Sequence, residues 1–346
     1  MLDFVPHPMT TVYCNFVTNF MKKLLIFILK IVVSVSIIAF IFYNYITIND
    51  FIQTIQNINY IILPFLILLV YLIRLLVAYQ TKISLVPFNI QTNTFDIFKI
   101  HLISTFYSLI LSSDLIAGGV SWYLLSKDNG KRAQVASVIV YLRILNLITL
   151  LPFALLGIYL EPKLKAYNIQ SYVLIFGLLL LIILLPFFWH KLTLLTESTL
   201  NYLISLIPIK KISKRLLEAN DNVWNSVKIS QTMPLNFTLK VITLSLLSQI
   251  LAIIFMYYAL EMVNIHLPFS VAAWLLALVA IIAMLPLTIG GIGVRDISFV
   301  FILNELYGVP AEASLLVSTV LLLIGSIIFG AILGGYYAVT FGKKNS

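Results

Sequence analysis

Charge is scarce in this chain. Asp, Glu, Lys and Arg make up 10% of its 346 residues, where an ordinary soluble domain is about a quarter charged. With 61% hydrophobic residues and a mean hydropathy of +1.05, a soluble globule is excluded. Cysteine is nearly missing as well. Cys14 stands alone, so no intrachain disulfide can form, and no CxxC or HExxH spacing offers a metal site. Acidic residues number 13 against 22 basic ones, for a formal net charge of +9. That excess does not point to nucleic acid, because the lysines and arginines are distributed between apolar runs, where they report membrane orientation.

The apolar runs are what the chain has in plenty. Leu24–Tyr45, Tyr60–Gln80, Val135–Tyr159, Tyr172–Trp189, Leu239–Leu260 and Ala311–Thr340 each approach or exceed the roughly 20 residues that cross a bilayer as a helix. The first is too long for a signal-peptide core, and bulky Tyr43-Asn44-Tyr45 follows it instead of a small-residue cleavage site. Residues 1–20 carry no strong pattern, and Met21-Lys22-Lys23 has the look of a chain start. They are read as a weakly ordered extension before a single integral membrane domain over 21–346. Arg74, about two turns from the end of its run, is expected to snorkel to the interface.

Two further apolar stretches are interrupted. Residues 97–126 are broken at Ser112-Ser113-Asp114 and again at Gly118-Gly119. Between Phe269–Met284 and Ile297–Leu306 stand Pro286, Gly290, Gly291, Gly293 and the charge pair Arg295-Asp296. Proline removes a backbone donor and the glycines permit positive φ, so a continuous helix is not expected there. Broken backbone at membrane depth is tolerated only where protein or a water-filled cavity satisfies it, and intramembrane charge marks a functional site by default. An ordinary extramembrane turn is the plainer alternative.

The basic groups at Lys22-Lys23, Lys82, Lys127–Arg132, Lys191–Lys240 and Lys343-Lys344 are placed in the cytoplasm by the positive-inside rule. Only Lys163 and Lys165 go against it. About six full crossings satisfy the rule, with both termini cytoplasmic in a cell membrane. The 97–126 hairpin then opens to the cytoplasm and the 269–306 hairpin to the outside. The order crossing, crossing, broken hairpin, crossing occurs twice with opposite orientation, in halves of roughly 24–160 and 170–342. Paired broken segments of this kind point to an inverted-repeat transporter. The expected fold is therefore all-α and polytopic, with about six transmembrane helices plus two broken, re-entrant helical hairpins. Counting each hairpin as two full crossings moves no loop to the other face, and only helix length speaks for the hairpins.

The run Pro286, Gly290, Gly291, Gly293, Val294, Arg295, Asp296, followed by Gly308-Val309-Pro310 and Ala313, resembles the C-terminal signature of a family. It is the transmembrane, flippase-like region of lysylphosphatidylglycerol synthases, together with stand-alone relatives. Asp296 replaces that family's usual glutamate. In the first hairpin the family's glycine pair and Ala-Ser-Val opening match Gly118-Gly119 and Ala136-Ser137-Val138. Val120 stands where an aspartate is usual, Trp122 near an arginine position, and Tyr141-Leu142-Arg143 where an acid–arginine pair is expected. Asp114 and Arg143 are left as the pair to take its place through space.

The resemblance implies translocation of a phospholipid or lipid-linked headgroup, without the soluble transferase domain of the full synthases. Arginine can hold a headgroup phosphate bidentately, and a helix N-terminus favours the same anion. Arg295, Asp296, Gly290, Gly291, Gly293, Asp114, Gly118, Gly119 and Arg143 are therefore the candidate substrate-binding residues. The alternative for Arg295-Asp296 is a pair that only locks two half-helices together. The Gly290–Gly293 run is no dinucleotide loop, since no βαβ pattern surrounds it. Gly330 and Gly334, four apart, read as helix packing. His101, Asp114, Glu261, Asp296 and Glu305 are too scattered for a catalytic cluster, so no enzyme activity, cofactor or metal is expected. A membrane-embedded transferase, or an accessory subunit of a separate synthase or glycosyltransferase in envelope lipid synthesis, is the competing class.

Overall fold

In a bilayer every backbone N–H and C=O must be satisfied within the protein, and a helix does so within one segment. The computed structural model describes residues 8–111, 114–127, 130–165, 169–284 and 292–343, and among the described residues all regular structure is helical. The helices are α1 (Pro8–Tyr45), α2 (Ile48–Gln56), α3 (Leu63–Leu85), α4 (Thr94–Leu111), α5 (Asp114–Ser126), α6 (Arg132–Leu160) and α7 (Pro162–Lys165). They continue with α8 (Ile169–Phe188), α9 (His190–Ser205), α10 (Lys210–Thr232), α11 (Leu235–Met262), α12 (Phe269–Met284), α13 (Val294–Tyr307), α14 (Ala311–Leu322) and α15 (Gly335–Lys343). A π-helical stretch, Leu323–Gly334, joins α14 to α15 into one crossing.

Among the described residues, five segments are long and apolar enough to span a membrane: Ile28–Tyr45, Tyr60–Phe88, Arg132–Leu160, Leu235–Met262 and Ala311–Thr340. The sixth expected crossing falls in α8, whose 20 residues reach about 30 Å at 1.5 Å per residue. By the same measure α5 and α13, with 13 and 14 residues, reach only about 20 Å. The segment Thr47–Asn59 holds α2, an amphipathic helix whose N-terminus is capped by the Thr47 hydroxyl accepting from Asp50 N–H. Helix α1 starts at Pro8, ahead of Met21, and residues 1–7 lie outside the described residues.

Hydrogen bonds between loops sort the chain into two ends. At one end Asn59 N–H donates to Met262 O (2.9 Å), Asn264 Nδ2 to Asn57 O (2.7 Å) and Lys163 Nζ to Leu306 O (2.8 Å). At the other, Lys131 Nζ donates to Phe88 O (2.9 Å) and the Lys99 ammonium lies over the Tyr337 ring. The α4–α5 hairpin therefore enters and leaves at one end, and the α12–α13 pair at the opposite end.

Packing follows the same alternation. Helix α3 lies against α11, α4 against the last crossing, and α12 against α6. Close approach needs glycine at both of the latter contacts. A Cβ at Gly334 would overlap the Leu102 carbonyl of α4, and one at Gly157 would stand 2.5 Å from the Ser270 carbonyl of α12. The expectation that Gly330 and Gly334 serve packing thus holds. Leu66, Leu102, Leu145, Ile253, Met256, Leu275 and Phe299 fill the centre. Gly118-Gly119, expected as a break, instead runs inside α5. Both glycines keep negative φ, and what Gly118 supplies is space.

Candidate functional site

The second broken segment is resolved from Ile292 onward, so Gly290 and Gly291 lie outside the described residues. Gly293 opens α13 at φ +89°, a conformation that an L side chain rarely adopts. A Cβ there would also meet the Ser34 carbonyl and the Ile37 side chain of α1, each at 3.2 Å. Helix α1 thus presses directly on the turn. Three residues into α13 the Asp296 carboxylate accepts from Gly293 N–H at 2.8 Å, which satisfies one orphan donor of the helix start.

Arg295 turns the other way, into α14. Its Nε donates to Ser318 Oγ at 2.7 Å, and its Nη2 lies 3.4 Å from Asp296 Oδ1. The Ser318 hydroxyl donates in turn to Asp296 Oδ1. Arg295 and Asp296 are only 7% and 5% exposed and Ser318 is fully buried. The result is a closed, neutral triangle joining α13 to α14. The pair's bonded partners lie on α13 and α14, so it joins the second half-helix to the next crossing, not the two half-helices to each other.

The first hairpin presents a different arrangement. A cavity of about 210 Å³ is lined by Arg74, His101, Thr105, Gly118, Ser121 and Arg143, with Asn146 and apolar residues of α3 and α6 completing it. Gly118 faces Arg143 so closely that an added Cβ would stand 3.0 Å from its Nη2. The glycine of α5 is thus the floor on which the α6 guanidinium rests. Gly119 has open space around its Cα and faces away from this contact. The Asp114 side chain lies outside the described residues, so the pairing of Asp114 with Arg143 is not placed.

Arg74, expected to snorkel, does not reach the interface. Its Nη1 donates to Thr105 Oγ1 at 3.0 Å, its Nη2 to Gly325 O at 2.7 Å, and its guanidinium lies over the Phe329 ring. One side of helix α3 packs against α4, α6 and α11, and Arg74 points into that side. The partner carbonyl belongs to the π-helical stretch, a feature that concentrates at functional sites. Residue-type reasoning missed Arg74 and His101 as site residues. The signal was present, an ionisable residue well inside an apolar helix, but the sequence alone does not tell an inward face from a lipid-facing one.

Both arginine networks end on the last crossing. Arg295 holds Ser318 and Arg74 holds Gly325 O. Seven residues are close to two helical turns, so these anchors share one face about 10 Å apart. Arg74 of α3 and Arg295 of α13 therefore converge on the same stretch of helix. Two arginines and a histidine line the first cavity.

Helices of this length and apolarity, packed around buried charge, define a polytopic integral membrane protein. The family model described as the lysylphosphatidylglycerol synthase TM region matches residues 27–334, and the chain belongs to that family. No curated protein matches it, and no solved structure does.

Proposed function

We propose that this protein translocates a phosphate-bearing phospholipid or lipid-linked headgroup across the cell membrane. The observation that carries the reading is the cavity at Gly118, where Arg74 and Arg143 approach one space from different helices. Arginine presents five donors in a planar fork. Thr105 and Gly325 O orient that of Arg74 and leave further N–H groups for a phosphate. His101, Ser104 and Ser121 line the same space; Ser104 donates to Ile100 O and the two serines bond each other, so His101 is the neutral donor of the three for the remaining headgroup oxygens.

The two halves, roughly 24–160 and 170–342, act as inverted repeats. Supporting this, the hairpins open at opposite ends, and α4 meets the last crossing as α12 meets α6. The end with Lys131 and Lys99 is cytoplasmic by the charge rule, and both chain termini belong to it. Helices α5 and α13 are half-membrane segments, and the two arginine networks share the last crossing. Alternating access is a rocking of one half against the other around that crossing. The Arg295–Asp296–Ser318 triangle keeps the second hairpin attached to its own half during the motion.

Reconstitution into liposomes with fluorophore-labelled phospholipids tests the proposal. Quenching from outside should reveal headgroup exchange above protein-free vesicles. Arg74→Lys should slow it nearly as much as Arg74→Ala, since lysine keeps the charge but not the fork. Inactive liposomes, with lipid product formed only when a separate synthase or glycosyltransferase is added, would favour an accessory role instead.

A further inference from the structure

One helical turn beyond Arg143 on α6 stands Asn146, on the same helix face and in the wall of the Gly118 cavity. Helix α11 grips this residue at both its side chain and its main chain. The Ser245 hydroxyl donates to Asn146 Oδ1. Gln249 Nε2, one turn further along α11, donates to the Asn146 main-chain carbonyl at 2.9 Å. A hydroxyl has a single proton, and Ser245 spends its own on Asn146. Thr149 is therefore the donor in its 2.8 Å contact with Ser245, sharing that proton with the Asn146 carbonyl. Ser245 and Thr149 are both buried, so these bonds fix which end of the amide turns to α11. Polar side chains between crossings commonly act as glue, but glue would use the two N–H donors of the amide as well as its oxygen. Among the described residues Asn146 Nδ2 has no partner, and the space that Asn146 lines is the cavity.

We infer that Asn146 is a specificity-determining residue of this cavity, its Nδ2 donating to an oxygen of the phosphate that Arg74 holds, with Ser245 as the residue that positions it. The inference rests on the phosphate reading of the Gly118 cavity and deepens it. A guanidinium supplies charge, which any anion satisfies. A neutral amide held at one angle instead tests for an acceptor oxygen at one place, and a site built to hydrogen-bond rejects a ligand that leaves its donor unpaired. The positioning serine lies on α11, so a cavity formed by α3, α4, α5 and α6 is completed from a helix of the later half of the chain.

Isothermal calorimetry of the purified full chain in detergent, titrated with a short-chain phosphatidic acid, tests the inference. Asn146→Asp keeps an oxygen for Ser245 and leaves the Gln249 bond to the main chain, but it replaces the N–H donors by an oxygen. Binding should weaken about tenfold, as the loss of a hydrogen bond to a charged acceptor implies. Where that variant does not fold, Asn146→Ala decides by the same loss. Ser245→Ala, which frees the amide to turn, should weaken binding about threefold in the wild-type background and not at all in Asn146→Ala. A serine that only supports the fold would cost affinity in both backgrounds, so additive losses would overturn its positioning role. Binding that is lost in Arg74→Ala yet unchanged in both Asn146 variants would overturn this inference alone. Wild type that takes up no phosphatidic acid would overturn the phosphate reading and this inference together.

Discussion

Removing Arg295 alone should harm the protein more than removing Arg295 together with Asp296. In the single variant Arg295→Ala the Asp296 carboxylate stays 5% exposed and retains only the Gly293 N–H and Ser318 hydroxyl as partners. Breaking one side of a buried ion pair costs about 3–5 kcal/mol, because the surviving charge is left uncompensated. Asp296→Ala strands the guanidinium in the same way, with Ser318 as its remaining partner. In the double variant no charge is stranded. What is lost are the acceptor for Gly293 N–H and the partners of the Ser318 hydroxyl, and leaving such groups unpaired costs about 1–3 kcal/mol. The double variant should therefore lie about 2 kcal/mol above either single and far from their sum. Thermal unfolding in one detergent, read for all four proteins alongside vesicle transport, forms the cycle. Additive losses would refute the closed triangle. A double variant that is as stable as argued yet transports nothing would place Arg295 in the substrate path rather than in a lock.

Gly118→Val should abolish transport with little effect on membrane insertion, because its side chain occupies the space of the Arg143 guanidinium; headgroup exchange compared with expression level checks it. Gly334→Leu should instead lower the unfolding temperature, by an amount typical of overpacking at about 1–3 kcal/mol, since α4 has no room to withdraw its Leu102 carbonyl. In a Cys14→Ser background, single cysteines at Asp50 and Glu261 should label from the outside and one at Lys131 from the cytoplasm. Labelling of positions 50 and 131 from the same side would remove the inverted-repeat topology.

Helix positions were legible in the sequence because lipid imposes one rule on every residue of a crossing. Composition alone brackets Ala311–Thr340, and the short runs Phe269–Met284 and Ile297–Leu306 already announce a broken segment near Gly293. Basic residues likewise grouped one end, where Lys131 bonds to Phe88 O near Lys82, while Lys163, which goes against the charge rule, bonds at the other end. What the sequence could not decide was which way each intramembrane side chain faces. Helices that are apolar all round carry no periodic signal separating lipid from protein, so the turn of Arg74 onto the side of α3 that packs against α4, α6 and α11 is not legible in the sequence. Partner choice was equally hidden. Arg295 and Asp296 are adjacent in the chain, yet it is Ser318, on the next crossing, that closes their triangle. Such contacts depend on how helices stack in space, and only the tertiary structure fixes that.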